Sequence, residues 1–286
     1  MPVLPIVLAH GYLGFSSLGP FHYFNTVQSV LSSAGATDIL APIVSPKACI
    51  ADRSAQLAAA ITGQYQNRKV HVIAHSMGGL DARVLIQQRN VNIATLTTLG
   101  TPFRGTLAAD IAIDPSRLAA ISAAKLLAAL AQYEAQLLTA GLADAIHRAQ
   151  FAIQQIRTAL TNLQSSDYSH LGAYFQGLFS LDDPALNELT TAECRRRFPD
   201  DESDLQGTPS YSFAGSLDPA RVSSPLFVSA ILLQAAGQEN DGIVPLASAK
   251  LRNHQQTLPL DHFGLVGWTD ADVSALYRRI YSLISA

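Results

Sequence analysis

Ser76 is the residue best placed to do chemistry. It stands between an apolar run, Val70-His71-Val72-Ile73, and a helix-forming stretch, Gly79-Leu80-Asp81-Ala82-Arg83-Val84-Leu85-Ile86. A serine on a sharp turn from strand to helix has its hydroxyl lifted clear of the sheet, and the next amide is left to bind an anion. The turn is strained and admits only small residues two positions before and after the serine. Those positions hold Ala74 and Gly78; glycine is the usual residue at the first, and alanine is the mildest departure from it.

A serine hydroxyl is a weak nucleophile at neutral pH. It needs a histidine within hydrogen-bond reach, oriented by a carboxylate. After a serine elbow the chain order is serine, acid, histidine, and this order selects among the eight histidines. His10, His22, His71 and His75 precede or adjoin Ser76, while His147 and His170 fall in a long helical stretch. His254, among Arg252, Asn253 and Gln255, reads as an exposed loop or strand edge. His262 follows an apolar strand and precedes Gly264, on a loop of the kind where open parallel sheets gather their sites. His262 is therefore preferred over His254. For the acid, Asn240-Asp241-Gly242-Ile243-Val244-Pro245 is a short polar turn that would present a carboxylate at a sheet edge. Asp218, in Leu217-Asp218-Pro219, competes, with a turn or cap as its plainer role. Asp261 adjoins His262 and is expected to point elsewhere. The developing oxyanion needs donors. The expected pair is the N–H of Met77 and that of Tyr12, in His10-Gly11-Tyr12-Leu13-Gly14.

These residues need a scaffold that sets them side by side. Strands are predicted at 4–9, 39–44, 69–74, 93–99, 209–215 and 256–260, and helices at 23–34, 51–65, 79–86 and 270–285, from apolar runs and helical spacing. Their alternation implies a mainly parallel sheet with right-handed crossovers. Between 107 and 197 it stops. Apolar stripes such as Leu118, Ile121, Leu126, Leu130 and Leu137, Leu142, Ile146 predict helices, which the sheet's own faces cannot all accommodate. The expectation is one α/β-hydrolase domain over 1–286, with a helical cap inserted at 107–197.

Only 14% of residues are charged and the net charge is −3, which argues against a nucleic-acid surface. The longest apolar run, Pro225 to Gly237, contains Ser229 and Gln234 and falls short of the ~18 residues of a membrane span. The N-terminal apolar run lacks a basic flank and leads into His10-Gly11, so no cleavable signal is read there; a cytoplasmic location, or export by a signal-free route, is expected. Cys49 and Cys194 are expected to be unpaired thiols. Arg195-Arg196-Arg197 reads as a solvated helix end. No H-E-x-x-H, C-x-x-C or phosphate-binding glycine loop occurs, so no cofactor is expected.

With these motifs in view, the chain resembles the bacterial true lipases of the Pseudomonas, Burkholderia and Proteus type. The likeness rests on Pro5 to Gly11, Arg53 with Gln56-Leu57, Ala74 to Gly79, Gly100 to Thr106, Glu188 to Thr191 with Phe198-Pro199, Leu217-Asp218-Pro219, and Asn240 to Val244. The resemblance implies Ser76, Asp241 and His262 as the triad and Tyr12 and Met77 as the oxyanion hole. It implies hydrolysis of carboxylic esters, often long-chain triacylglycerols, and a cap that is a mobile lid able to touch a lipid surface transiently. It also implies calcium held by two aspartates. Asp218 matches the first, but Gly264 stands in the second's place, so a calcium-independent protein is expected. The stretch between Gly105 and Thr190 matches weakly. Two other functions fit the same residues: an acyltransferase with the same triad, and a binding protein on a decayed hydrolase scaffold.

Overall fold

The computed structural model describes residues 3–12, 17–18, 21–24, 26–121, 124–131, 184–223 and 226–286. Six parallel strands form one sheet in the order β4 (Ile39–Leu40), β1 (Ile6–Ala9), β5 (Val70–His75), β6 (Ile93–Leu99), β7 (Ser210–Gly215), β8 (His254–Leu258). A separate antiparallel pair joins β2 (Ser17–Leu18) to β3 (Phe21–His22). The sheet is covered on both faces. Along β1, Val7 and Ala9 enter the cluster that holds α2 (Ile50–Tyr65) and α3 (Met77–Gln88). Ile6 and Leu8 enter the opposite one, with α1 (Val27–Ala34) and the helix Ser274–Ser285. Period-two alternation with both sides apolar is what a central parallel strand requires. This is the α/β-hydrolase fold.

The chain winds from β1 outward to β4, then crosses back to β5 and proceeds the other way to β8. The order reverses between β1 and β5. Crevices for ligands form beyond the carboxyl ends of strands at such a switch point. Ser76 and the His10-Gly11-Tyr12 loop follow these two strands.

Several boundaries differ from the sequence expectation. The predicted helix at 23–34 starts only at Val27; Phe21–His22 is strand and Tyr23 and Phe24 form a turn, although Phe24 is buried as its spacing suggested. The strand predicted at 39–44 ends at Leu40. Pro42 lacks an amide, and the N–H of Val44 goes to His10 Nε2 rather than to a strand. The last strand begins two residues early, at His254, and ends at Leu258. As an edge strand paired only to β7, it need not be apolar. The final helix starts at Ser274, whose N–H is capped by Asp272. Phe227–Ala235 is a helix buried nearly all round, which explains its apolar sequence without a membrane. Among the described residues, no helix is long and apolar enough to cross a membrane.

At the ends of the 107–197 segment the structure describes α4 (Leu107–Ile113), a 3₁₀ turn at Pro115–Ala120, a helix at 124–131, and helices Pro184–Glu188 and Thr191–Arg197. Ala108, Ile111, Ile121, Leu126, Leu186 and Cys194 belong to the same core cluster as β5. The predicted stripe Leu137, Leu142, Ile146, with His147 and His170, lies outside the described residues. Cys49 and Cys194 are free thiols. The arginine run is not wholly a solvated end: Arg196 pairs with Glu193 at the surface, but Arg197 reaches half-buried Glu188 at 2.6 Å and lies over the Phe198 ring.

Candidate active site

Ser76 sits where β5 meets α3, with φ 55° and ψ −131°, a conformation foreign to L-residues outside strained turns. Its N–H donates to Leu99 O at 2.9 Å, so the strain is held by the neighbouring strand. Ala74 is fully buried between β1 and β6. A Cβ on Gly78 would run into the Ala9 and His10 carbonyls; the first turn of α3 lies against the end of β1, and only glycine leaves room. Met77 is the first residue of α3, so its N–H is among those a helix leaves without an internal partner. It points from a helix N-terminus, where negative charge is favoured.

The structure brings Asp241 and His262 together. His262 Nδ1–H donates to Asp241 Oδ2 at 2.7 Å, and the His262 N–H donates to the Asp241 carbonyl, also at 2.7 Å. The Asn-Asp-Gly turn explains the carboxylate's aim. Asn240 Oδ1 accepts from Gly242 N–H at 2.8 Å, and Gly242 has φ 104°, a value glycine adopts without strain. The turn then folds the amides of Ile243 and Val244 onto Asp241 Oδ1 at 3.1 and 2.8 Å. One carboxylate oxygen is thus fixed by its own turn, and the other is left to the imidazole.

The histidine ring lies against His75, the residue before Ser76, with centroids 4.4 Å apart. Its Nε2 makes no hydrogen bond to Ser76 Oγ among the described residues. Such bonds are often long without substrate and tighten in the Michaelis complex. Gly11 packs so closely on Ser76 that a Cβ there would meet the Ser76 Cβ at 2.5 Å. This brings the Tyr12 loop to the nucleophile; Leu13 and Gly14 lie outside the described residues.

The competitors are elsewhere. His254 begins the edge strand β8, three strands across the sheet from β5 and Ser76, and bonds to Ser212 and Thr257. Asp218 caps a 3₁₀ turn, accepting from Ala220 N–H at 2.9 Å. Asp261 points away from His262, as expected. Its Oδ2 accepts from the Ser223 N–H and hydroxyl at 2.6 and 2.5 Å, and its Oδ1 accepts from Gly264 N–H at 2.7 Å. With Gly264 offering no side-chain oxygen and Asp261 already engaged by three donors, these residues do not fit a calcium site built on paired carboxylates. The histidine loop is instead tied to the 218–223 segment by Asp261 and Ser223.

Sequence reasoning missed several supporting residues. Arg53 is fully buried; it donates from Nε to Asp81 Oδ2 at 2.9 Å and from Nη2 to the His10 carbonyl at 2.7 Å. It thereby orients the peptide at the start of the Tyr12 loop. The available signal was a charge at core spacing: Ile50, Arg53 and Leu57 share one helix face. His10 is also structural. Its Nδ1–H donates to the Gly11 carbonyl and Nε2 accepts from Val44; burial lowers its pKa to about 4, so it remains neutral. Tyr23 and His75 carried no such signal.

Comparison with known proteins agrees with this architecture. A PGAP1-like alpha/beta domain matches residues 51–121. A triacylglycerol lipase of Pseudomonas fragi is 34% identical over 128 residues, 43% of this chain and 43% of its own length. Triacylglycerol lipase 2 of Saccharomyces cerevisiae is 34% identical over 35% of this chain and 33% of its own. These two alignments therefore cover less than half of either relative. A triacylglycerol lipase of Pseudarthrobacter phenanthrenivorans aligns over 86% of this chain and 82% of its own, at 26% identity. The crystal structure of the Bacillus licheniformis lipase BlEst2 in mature form superposes with a TM-score of 0.64, covering 97% of this chain and 91% of that one at 21% identity. At that identity the likeness speaks for the fold.

Proposed function

We propose that this chain is a serine carboxylic-ester hydrolase, a lipase or esterase of the α/β-hydrolase superfamily, acting on apolar esters such as acylglycerols. The observation that carries the reading is the strained Ser76 at the switch point, next to an imidazole bonded to a buried carboxylate. In this reading Ser76 Oγ attacks the ester carbonyl carbon and its proton passes to His262 Nε2. The amides of Met77 and Tyr12 receive the oxyanion. The intermediate collapses to an acyl-enzyme, and the leaving alcohol takes the proton from His262. Water then repeats the sequence, releasing the acid and restoring Ser76. The lipase matches support the substrate class, and placement beside the Pseudomonas, Burkholderia and Proteus lipases remains part of the proposal. So does the single-domain reading with a cap over 107–197.

Two measurements test it. A fluorophosphonate should label the protein once, at Ser76, and p-nitrophenyl esters of graded chain length should be hydrolysed with the acid as product. Absence of both label and turnover would return the chain to a binding role. Product that is mainly a new ester when alcohol is added would favour the acyltransferase.

The same reading includes activity without calcium, on the ground that the tie between the two loops is made by Asp261 and Ser223. Dialysis against EDTA should leave kcat and Tm unchanged. A fall in both, reversed by added calcium, would refute it.

A further inference from the structure

Four polar groups between the nucleophile strand, the Tyr12 loop and the histidine loop form one directed chain. Gly11 N–H donates to Tyr23 Oη at 3.0 Å. Tyr23 Oη and His75 Nδ1 lie 2.7 Å apart, and His75 Nε2 lies 3.0 Å from the His262 carbonyl. A carbonyl only accepts, so His75 carries its proton on Nε2. Nδ1 must then accept, and the Tyr23 hydroxyl donates to it. No donor in the chain meets another donor. Burial and the facing His262 imidazole hold the His75 imidazole well below its ordinary pKa, which keeps it neutral and this ordering intact. Tyr23 is fixed in turn from the histidine side: its backbone carbonyl accepts from the Trp268 indole N–H at 2.6 Å.

We propose that His75 and Tyr23 are positioning residues for ester hydrolysis, forming a brace that sets the spacing of nucleophile, oxyanion loop and general base. The inference rests on the proposed function. His75 lies on rigid β5, one residue before Ser76, and grips the backbone of His262. With Asp241 holding the N–H and Nδ1 of His262, the loop is held at its amide, ring and carbonyl. Tyr23 extends the same grip to Gly11. It holds the Gly11 amide, and so fixes the peptide next to Tyr12, the oxyanion donor of the proposed function. A residue on a strand thereby fixes two loops relative to the serine it adjoins. Misplacing reacting groups by about 1 Å costs up to ~10²-fold in rate.

Tyr23→Phe keeps the ring and the carbonyl bond to Trp268 and deletes only the hydroxyl. It should lower kcat by about 10- to 100-fold with KM within about threefold. His75→Ala should do the same, and His75→Gln, which retains an N–H near the His262 carbonyl, should recover part of the loss. The Tyr23→Phe/His75→Ala double variant should lose little more than either alone, because the two act as one unit. Retention of more than half of wild-type kcat by Tyr23→Phe, or additive losses, would overturn the brace. Histidine-selective ¹⁵N NMR of the wild type reads it without any ester: His75 should be the Nε2–H tautomer, and an Nδ1–H tautomer would overturn it. If no ester is turned over, the proposed function fails, and the NMR result still decides whether the brace exists.

Discussion

Ser76→Ala is expected to lower kcat on the order of 10⁶-fold with the fold intact. The nucleophile and its base act as one unit, so loss of the hydroxyl leaves only binding and the oxyanion donors to act on the ester. The fold should persist because the elbow is held by its surroundings, not by the hydroxyl. Ser76 N–H bonds to Leu99 O, Ala74 is packed between two strands, and Gly78 abuts the end of β1. Alanine inherits the same φ of 55° and the same strain. Glycine would not. Strain of this kind is worth roughly 1–3 kcal/mol, against roughly 0.4–1 kcal/mol for the added freedom of glycine in the unfolded chain. Ser76→Gly should therefore be inactive yet more stable than wild type in urea denaturation. Activity above a few per cent in Ser76→Ala would sink the mechanism, and a Ser76→Gly variant less stable than wild type would sink the strain argument.

The residues proposed to do chemistry are more legible in the sequence than the residues that aim them. Ser76, Asp241 and His262 sit at turns whose small or polar neighbours are dictated by backbone geometry, so local sequence exposes them. Gly242 is there because the turn needs a positive φ, and Gly78 because the His10 carbonyl is too near. The supporting contacts are long-range and leave no local pattern. Tyr23 and His75 are 52 residues apart, and His75 and the carbonyl it grips are 187 apart. His75 looks like the variable residue of the elbow motif, and Tyr23 fell inside a helix predicted too early. Among the elements, central strands were clear because both faces are apolar. The edge strands were not. β4 is cut short by Pro42, and β8 is polar enough that its first residue, His254, reads as either a loop or a strand edge. Within α2, Arg53 shares a face with Ile50 and Leu57, but its partners, Asp81 and the His10 carbonyl, come from distant parts of the chain.

His262→Ala is expected to match the Ser76→Ala loss, on the order of 10⁶-fold in kcat, since without an acceptor for its proton the hydroxyl is not a competent nucleophile. Asp241→Asn should cost less, on the order of 10⁴-fold, and the geometry says why. The Ile243 and Val244 amides both donate to Asp241 Oδ1. An asparagine here keeps its one carbonyl oxygen on those two donors, because turning it away would leave two N–H groups facing an amide NH₂. The NH₂ must then face His262 Nδ1, which becomes an acceptor and sends its proton to Nε2. That is the nitrogen meant to receive the Ser76 proton. The variant therefore holds the imidazole in place but in the wrong tautomer. His254→Ala and Asp218→Asn, whose side chains bond elsewhere, should change kcat by no more than a few-fold. The four variants, measured by single-turnover acylation and steady-state hydrolysis, separate the assignments. An Asp241→Asn enzyme with more than a tenth of wild-type kcat, or a His254→Ala enzyme as inactive as His262→Ala, would mean that the acid or the base has been misassigned.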